Sequence, residues 1–148
     1  MSRFGWLVVC SLALMTGCSS NLKPVKARVD SVTVDERTEQ GVRVLVTVFA
    51  ENPNDVPLPI VKARYQVEMA GAESFAFTEL PKATLPANGT QTITLPAAFA
   101  TEGGNAAGQL YKVKGQLTYE PPGEIRKLLT EYGVPLPSTA FKDGGELR

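Results

Sequence analysis

Apolar residues recur every second position along most of this chain, and that period predicts strands. Val29, Val32 and Val34 alternate loosely with polar residues, and the polar, glycine-ended segment from Asp35 to Gly41 predicts a hairpin turn after them. Val42, Val44, Val46 and Val48 share one face of the next strand, while Leu45 and Phe49 are apolar on the other. Apolar residues on both faces predict a strand buried on both sides, at the centre of the fold. Tyr65, Val67 and Met69 alternate with Arg64, Gln66 and Glu68, giving a strand with one wet face that Gly71 closes. Phe75 and Phe77 make a short strand, and Ile93 and Leu95 form another after Asn88-Gly89, a pair that tolerates positive φ and predicts a hairpin turn. Tyr111, Val113, Gly115, Leu117 and Tyr119 point inward between outward Lys112, Lys114, Gln116 and Thr118. The glycine in that inward set predicts a bulge or a close backbone approach. Strands and turns at this interval predict an all-β fold, a small antiparallel sandwich.

One segment has a different period. Ile125, Leu128, Leu129 and Tyr132 stand at i, i+3, i+4 and i+7 between Pro121-Pro122 and Gly133, so residues 124–132 read as a short amphipathic helix with a glycine cap. A helix of two turns is marginal alone, which favours a plug over an open end or edge of the sheet above a membrane or partner contact. Val134-Pro135-Leu136-Pro137 reads as a short last strand on an edge, and residues 139–148 as a flexible tail.

Between the second and third strands, Glu51 to Ile60 form a corner. Asn52 precedes Pro53 and is pushed to an extended conformation, and the Asn54 and Asp55 side chains can bond nearby backbone in a tight turn. Pro57 and Pro59 hold their neighbours extended, so that Leu58 and Ile60 point together onto the core.

The N-terminus carries Arg3 and an apolar run from Phe4 to Met15, 12 residues that fall short of the roughly 20 needed to span a bilayer. A cleaved export signal fits that length. Thr16-Gly17-Cys18 at its end resembles the lipobox of bacterial lipoproteins, with Met15 where leucine is usual. The resemblance implies cleavage between Gly17 and Cys18, and acyl and diacylglycerol lipid on Cys18 as the covalent group. More than one acyl chain holds a protein on a membrane stably. Ser19 in place of an aspartate points to the outer membrane, with the domain facing the periplasm. The expected organisation is a signal peptide at 1–17, a lipidated tether at 18–25, one sandwich domain at 26–138 and the tail.

Removing residues 1–17 from the 148 leaves 131, with 14 basic and 15 acidic side chains. Near-neutral charge gives no general nucleic-acid surface. Histidine is absent and the mature chain keeps only Cys18, so the commonest general base, a free thiol nucleophile, the usual zinc ligands and an internal disulfide are all lacking. Asn52, Asn54 and Asp55 are oxygen-rich, yet calcium wants six to eight oxygens and no EF-type spacing is present, so a structural turn is expected and no metal. Ser20 and Lys23 match a serine-lysine pattern by chance of placement in the tether. Glu120 with Glu124, and Glu36 with Glu39, sit in polar turns and read as solvated charge rather than as an acid pair. Asn88-Gly89-Thr90 fits a glycosylation sequon and serves as a turn. Lys23, Lys26 and Arg28 would lie near anionic headgroups, or simply in a solvated linker.

In order along the chain, Asn52-Pro53-Asn54, Leu58-Pro59-Ile60, Leu85-Pro86 with Ile93, Tyr111-Lys112-Val113-Lys114-Gly115 and Val134-Pro135-Leu136-Pro137 resemble late embryogenesis abundant type 2 proteins, the water stress and hypersensitive response (WHy) domain. The resemblance spans about residues 25 to 137 and implies a sandwich of immunoglobulin or fibronectin type III kind. Asn52, Pro53, Asn54, Leu58, Pro59, Ile60 and Gly115 are then structural motif positions, and the helical insert departs from the family. The expected function is that of a non-enzymatic envelope lipoprotein whose sandwich binds or shields something at the membrane surface, with the role in desiccation or osmotic stress implied by the family resemblance alone. Its expected partners are the membrane, through the lipid, and an envelope protein or lipid. The alternatives are a module that binds or transfers lipid or another hydrophobic ligand in a groove where the sheets part near the insert, and an envelope assembly partner.

Overall fold

The computed structural model describes residues 22–70, 74–100 and 108–147. Residues 1–17, expected as a leader, Cys18, expected to carry lipid, and Ser20 and Gly71 lie outside the described residues. Among the described residues, eight strands and one helix follow in order: β1 (Lys26–Thr38), β2 (Gly41–Asn52), β3 (Leu58–Met69), β4 (Phe75–Glu79), β5 (Ala83–Leu85), β6 (Gly89–Ala100), β7 (Leu110–Tyr119), α1 (Gly123–Glu131) and β8 (Ser138–Glu146). They form two antiparallel sheets, one ordered β1-β2-β6 and the other β4-β3-β7-β8, with β5 also paired to β3. This is the sandwich that the alternation predicts, in fibronectin type III-like arrangement.

One core lies between the sheets. Val42, Val44, Val46, Val48 and Ala50 of β2 meet Ala63, Tyr65, Val67 and Met69 of β3, with Leu95, Phe99, Val113 and Leu117 completing it. The Tyr65 hydroxyl donates to the Pro96 carbonyl on β6, and Phe77 and Phe75 meet Phe99 edge-on at 6.4 and 5.8 Å, so rings and one hydrogen bond join the sheets. Pro96 is tolerated because β6 is an edge strand. The loose spacing of Val29 and Val32 is a β-bulge: Asp30 stands opposite no residue of β2, and both valines pair inward with Val48 and Val46.

The outer face of β2 differs from expectation. Leu45 and Phe49 are half-buried by flanking side chains instead of covered by another layer, and the Arg28 guanidinium lies 4.6 Å from the Phe49 ring centroid. Asn88-Gly89 is also no hairpin. Asn88 takes φ 47 and Gly89 N–H donates to Pro86 O at 3.2 Å, but β5 belongs to one sheet and β6 to the other, so the turn arches between them.

Three boundaries need correction. The tail expected at 139–148 is not flexible over its described residues, 139–147, and Val134 to Pro137 are not the last strand: residues 138–146 are β8, paired along β7, with Phe141 and Leu147 buried. Two apolar anchors nine-tenths or more buried hold a strand whose other residues are small or polar. The domain therefore runs past 138. At the other end Val25 enters the core and Lys23 is hydrogen-bonded, so the tether does not extend to 25. The helix does not plug the sandwich: no residue of α1 is buried, and Leu128 (53% exposed) and Tyr132 (73%) face solvent. Its C-terminus is capped as expected, with Gly133 at φ 64 and Val134 N–H donating to Leu129 O at 2.8 Å.

Candidate functional site

The Asn-Pro-Asn corner ties together three segments far apart in sequence. Asn52, fully buried at the end of β2, uses its amide nitrogen to donate to Val56 O (2.8 Å), Pro86 O (3.0 Å) and Leu85 O (3.4 Å). Its Oδ1 accepts from Asn54 N–H (3.0 Å) and Asn54 Nδ2 (2.9 Å). Asn54 in turn accepts Lys23 N–H at Oδ1 (2.7 Å) and donates from Nδ2 to Lys23 O (2.9 Å). Its own carbonyl accepts Asn88 N–H at 2.7 Å. The two side-chain amides thus bond to each other and to backbone N–H and C=O groups of all three segments, which keeps these polar groups paired where they are buried. Leu58 and Ile60 follow into the core, and Pro59 O accepts Glu120 N–H at 2.9 Å.

The same register places several features at one end of the sandwich. Asn52 pairs with Gly89 and Ile60 with Tyr119, Tyr119 N–H donates to Pro137 O, and Lys23 is held by Asn54. The chain therefore enters the domain at the end that carries the corner and α1.

The other candidate residues are not brought together. Asp55 is exposed, while the Asn52 and Asn54 oxygens already accept N–H groups. Among the described residues no three or more Cys, Asp or Glu side chains converge. Glu120 pairs with Arg126 at 2.6 Å and Glu124 with Lys127 at 2.9 Å, so the two carboxylates serve separate cations. Glu36 joins Arg43 at 3.6 Å. Lys26 and Arg28 belong to β1 rather than a linker, where Lys26 meets Glu51 at 3.8 Å and Arg28 meets Asp30 at 3.4 Å.

Gly115 marks a close approach without a bulge. It stands between Tyr65 and Phe141 in an unbroken register, and a Cβ there would come within 2.5 Å of the Phe141 ring and 2.7 Å of Arg64 O and Tyr65 Cβ. Two aromatic neighbours cover a glycine that leaves them room. Tyr65 also stacks on Phe77 at 5.3 Å. Burial pushes its phenol well above the ordinary value of 10.0, and the Glu79 carboxylate adds to the shift.

On the outer face behind this row lies an open groove of about 650 Å³. Every lining residue belongs to the β4-β3-β7-β8 sheet, so the groove is outside the sandwich and at mid-sheet, not between parted sheets near the insert. Arg64, Lys114 and Lys142 rim it, with Gln66 and Gln116. The alternation of lysines on β7 shows in the sequence, but their adjacency to Arg64 and Lys142 depends on strand register.

The fold and the corner define a small antiparallel sandwich of the late embryogenesis abundant kind. Residues 47–138 match the LEA_2 family, described as late embryogenesis abundant protein, and the chain belongs to that family. A solution structure described as that of a late embryogenesis abundant protein is similar at TM-score 0.63 and 21% identity, over 85% of this chain and 71% of that one. A solution structure from Arabidopsis thaliana is similar at TM-score 0.58 and 15% identity, over 88% and 87%. A crystal structure of a protein from Archaeoglobus fulgidus is similar at TM-score 0.50 and 15% identity, over 86% and 98%. At these identities the likeness is one of fold. No curated protein sequence matches the chain.

Proposed function

We propose that this chain is a lipid-anchored, non-enzymatic LEA_2 sandwich of the WHy type. It works at a bacterial envelope membrane, on the periplasmic side of the outer membrane, in tolerance of water stress. The observation that carries the reading is the fastening of Lys23 by Asn54, because it ends the tether five residues beyond Cys18. At no more than about 3.5 Å per residue, the step from Cys18 to Lys23 reaches about 18 Å, so lipid on Cys18 would hold the folded domain close to the membrane surface. A packed sandwich also differs from a disordered protectant, since its apolar residues are committed to a core. Its work is surface contact or shielding by a folded body.

Mass spectrometry of the protein isolated from its own membranes tests the anchor: a mature N-terminus at Cys18 bearing acyl and diacylglycerol mass is expected. An intact leader or a free thiol overturns it. Survival of drying or osmotic shock tests the role. Cells producing Cys18→Ala should lose the protection given by the wild-type chain; equal survival without the gene overturns the stress reading.

A further inference from the structure

We propose that the outer face of the β4-β3-β7-β8 sheet is a docking surface for an anionic lipid membrane, with Arg64, Lys114 and Lys142 at its centre. The proposal deepens the membrane-surface reading by naming the surface that does the contacting, and it does not need the lipid on Cys18.

The two outer faces treat charge in opposite ways. On the β1-β2-β6 face Lys26 pairs with Glu51, Arg28 with Asp30, and Arg43 with Asp35 and Glu36, so each of these cations has its carboxylate. The register of the other sheet turns Lys62, Arg64, Lys112, Lys114 and Lys142 outward, with only Glu68 and Glu146 of opposite sign. None of those five cations makes an ion pair among the described residues. Lys114 stands directly across from Lys142, and like charges placed opposite one another disfavour a strand pair. In a chain with 15 basic and 15 acidic side chains, this is segregation of sign, not excess of charge.

The shape fits a surface more than a discrete ligand. The groove is shallow and open, its floor is strand backbone at the Tyr65-Gly115 pair, and its short outward residues Ala76 and Ala140 leave the cations standing at the rim. Lysine and arginine stems can lie along such a face with their charged ends in the headgroup layer. Each basic side chain near an anionic leaflet adds attraction that falls off within a Debye length, so several on one plane act together.

The test uses the chain from residue 18 with Cys18→Ser, which retains every residue of the core. Sedimentation with vesicles of phosphatidylcholine alone, and of phosphatidylcholine with 30% phosphatidylglycerol, should show binding to the second only, weakening at least tenfold between 50 and 500 mM salt. Lys114→Glu with Lys142→Gln should weaken that binding tenfold or more. The same change of charge made on the paired face, Arg43→Glu with Lys26→Gln, should change it less than twofold. Lys142→Glu alone should lower affinity while melting no lower than the parent, since it sets an acid opposite Lys114. Binding that is insensitive to salt and to these exchanges overturns the proposal. So does binding lost in Leu128→Ser with Tyr132→Ser but kept in the lysine variants, because that assigns the contact to α1. Failure here leaves the lipid anchor standing, as its own test is the mass of residue 18.

Discussion

Asn54 holds Lys23 by both ends of one peptide-like group, accepting the lysine N–H at 2.7 Å and donating to its carbonyl at 2.9 Å. A side-chain amide thereby does the work of a neighbouring strand. Asn54→Ala removes both bonds and one of the donors to Asn52 Oδ1, which should cost about 1–3 kcal/mol. Asn52→Ala should cost more, because it takes the side-chain donor from the carbonyls of Val56 and Leu85 and the acceptor from both Asn54 nitrogens. Urea unfolding of both variants checks the order; equal loss, or none, contradicts this account of the corner.

Gly115 is limited by backbone as well as by a ring. Gly115→Ala should destabilise by about 1–3 kcal/mol through overpacking. In a Phe141→Leu background the penalty should shrink, since the nearest ring atom is gone, yet persist, because Arg64 O remains 2.7 Å from the added Cβ. A double-mutant cycle measures this, with additive effects contradicting the contact.

Tyr65 predicts a fall in stability with alkali. Its folded pKa is raised, so its contribution is fully present below the ordinary value near 10 and is lost as pH rises above it, when the unfolded tyrosine ionises and the buried one resists. The slope approaches about 1.4 kcal/mol per pH unit for this one group. The difference in urea midpoint between wild type and Tyr65→Phe should therefore narrow or reverse between pH 9 and 11. A constant difference contradicts the burial of the phenol.

The exposed side of α1 should be dispensable to folding. Leu128→Ser and Tyr132→Ser remove apolar surface that touches solvent, so each should change stability by about 0.5 kcal/mol or less. A plug would lose several times that amount. Thermal melts of the two variants decide between them.

Period and turn chemistry made the sandwich, the corner and the helix legible, because β2, β3, β6 and β7 each bury one alternating face. What escaped depended on relationships between segments. β8 has only Phe141 as an apolar inward anchor within its span, and its place comes from the gap at Gly115 on another strand. The periodicity of Ile125, Leu128, Leu129 and Tyr132 reported an amphipathic helix but not whether anything covers it. Asn52 and Asn54 could be read as turn formers, whereas Lys23 is captured through its main chain, which carries no residue-specific signal. The outward lysines were visible strand by strand, and their shared face appeared only with the register.

The corner also sets how the domain would respond to a pull from its N-terminal side. Tension arriving at Lys23 meets the Asn54 amide before it reaches β1, and Asn54 sits between the last strand residue of one sheet and the first of the other. The load is then shared by both sheets at once, so a pull from that side strains a junction instead of peeling an edge strand away.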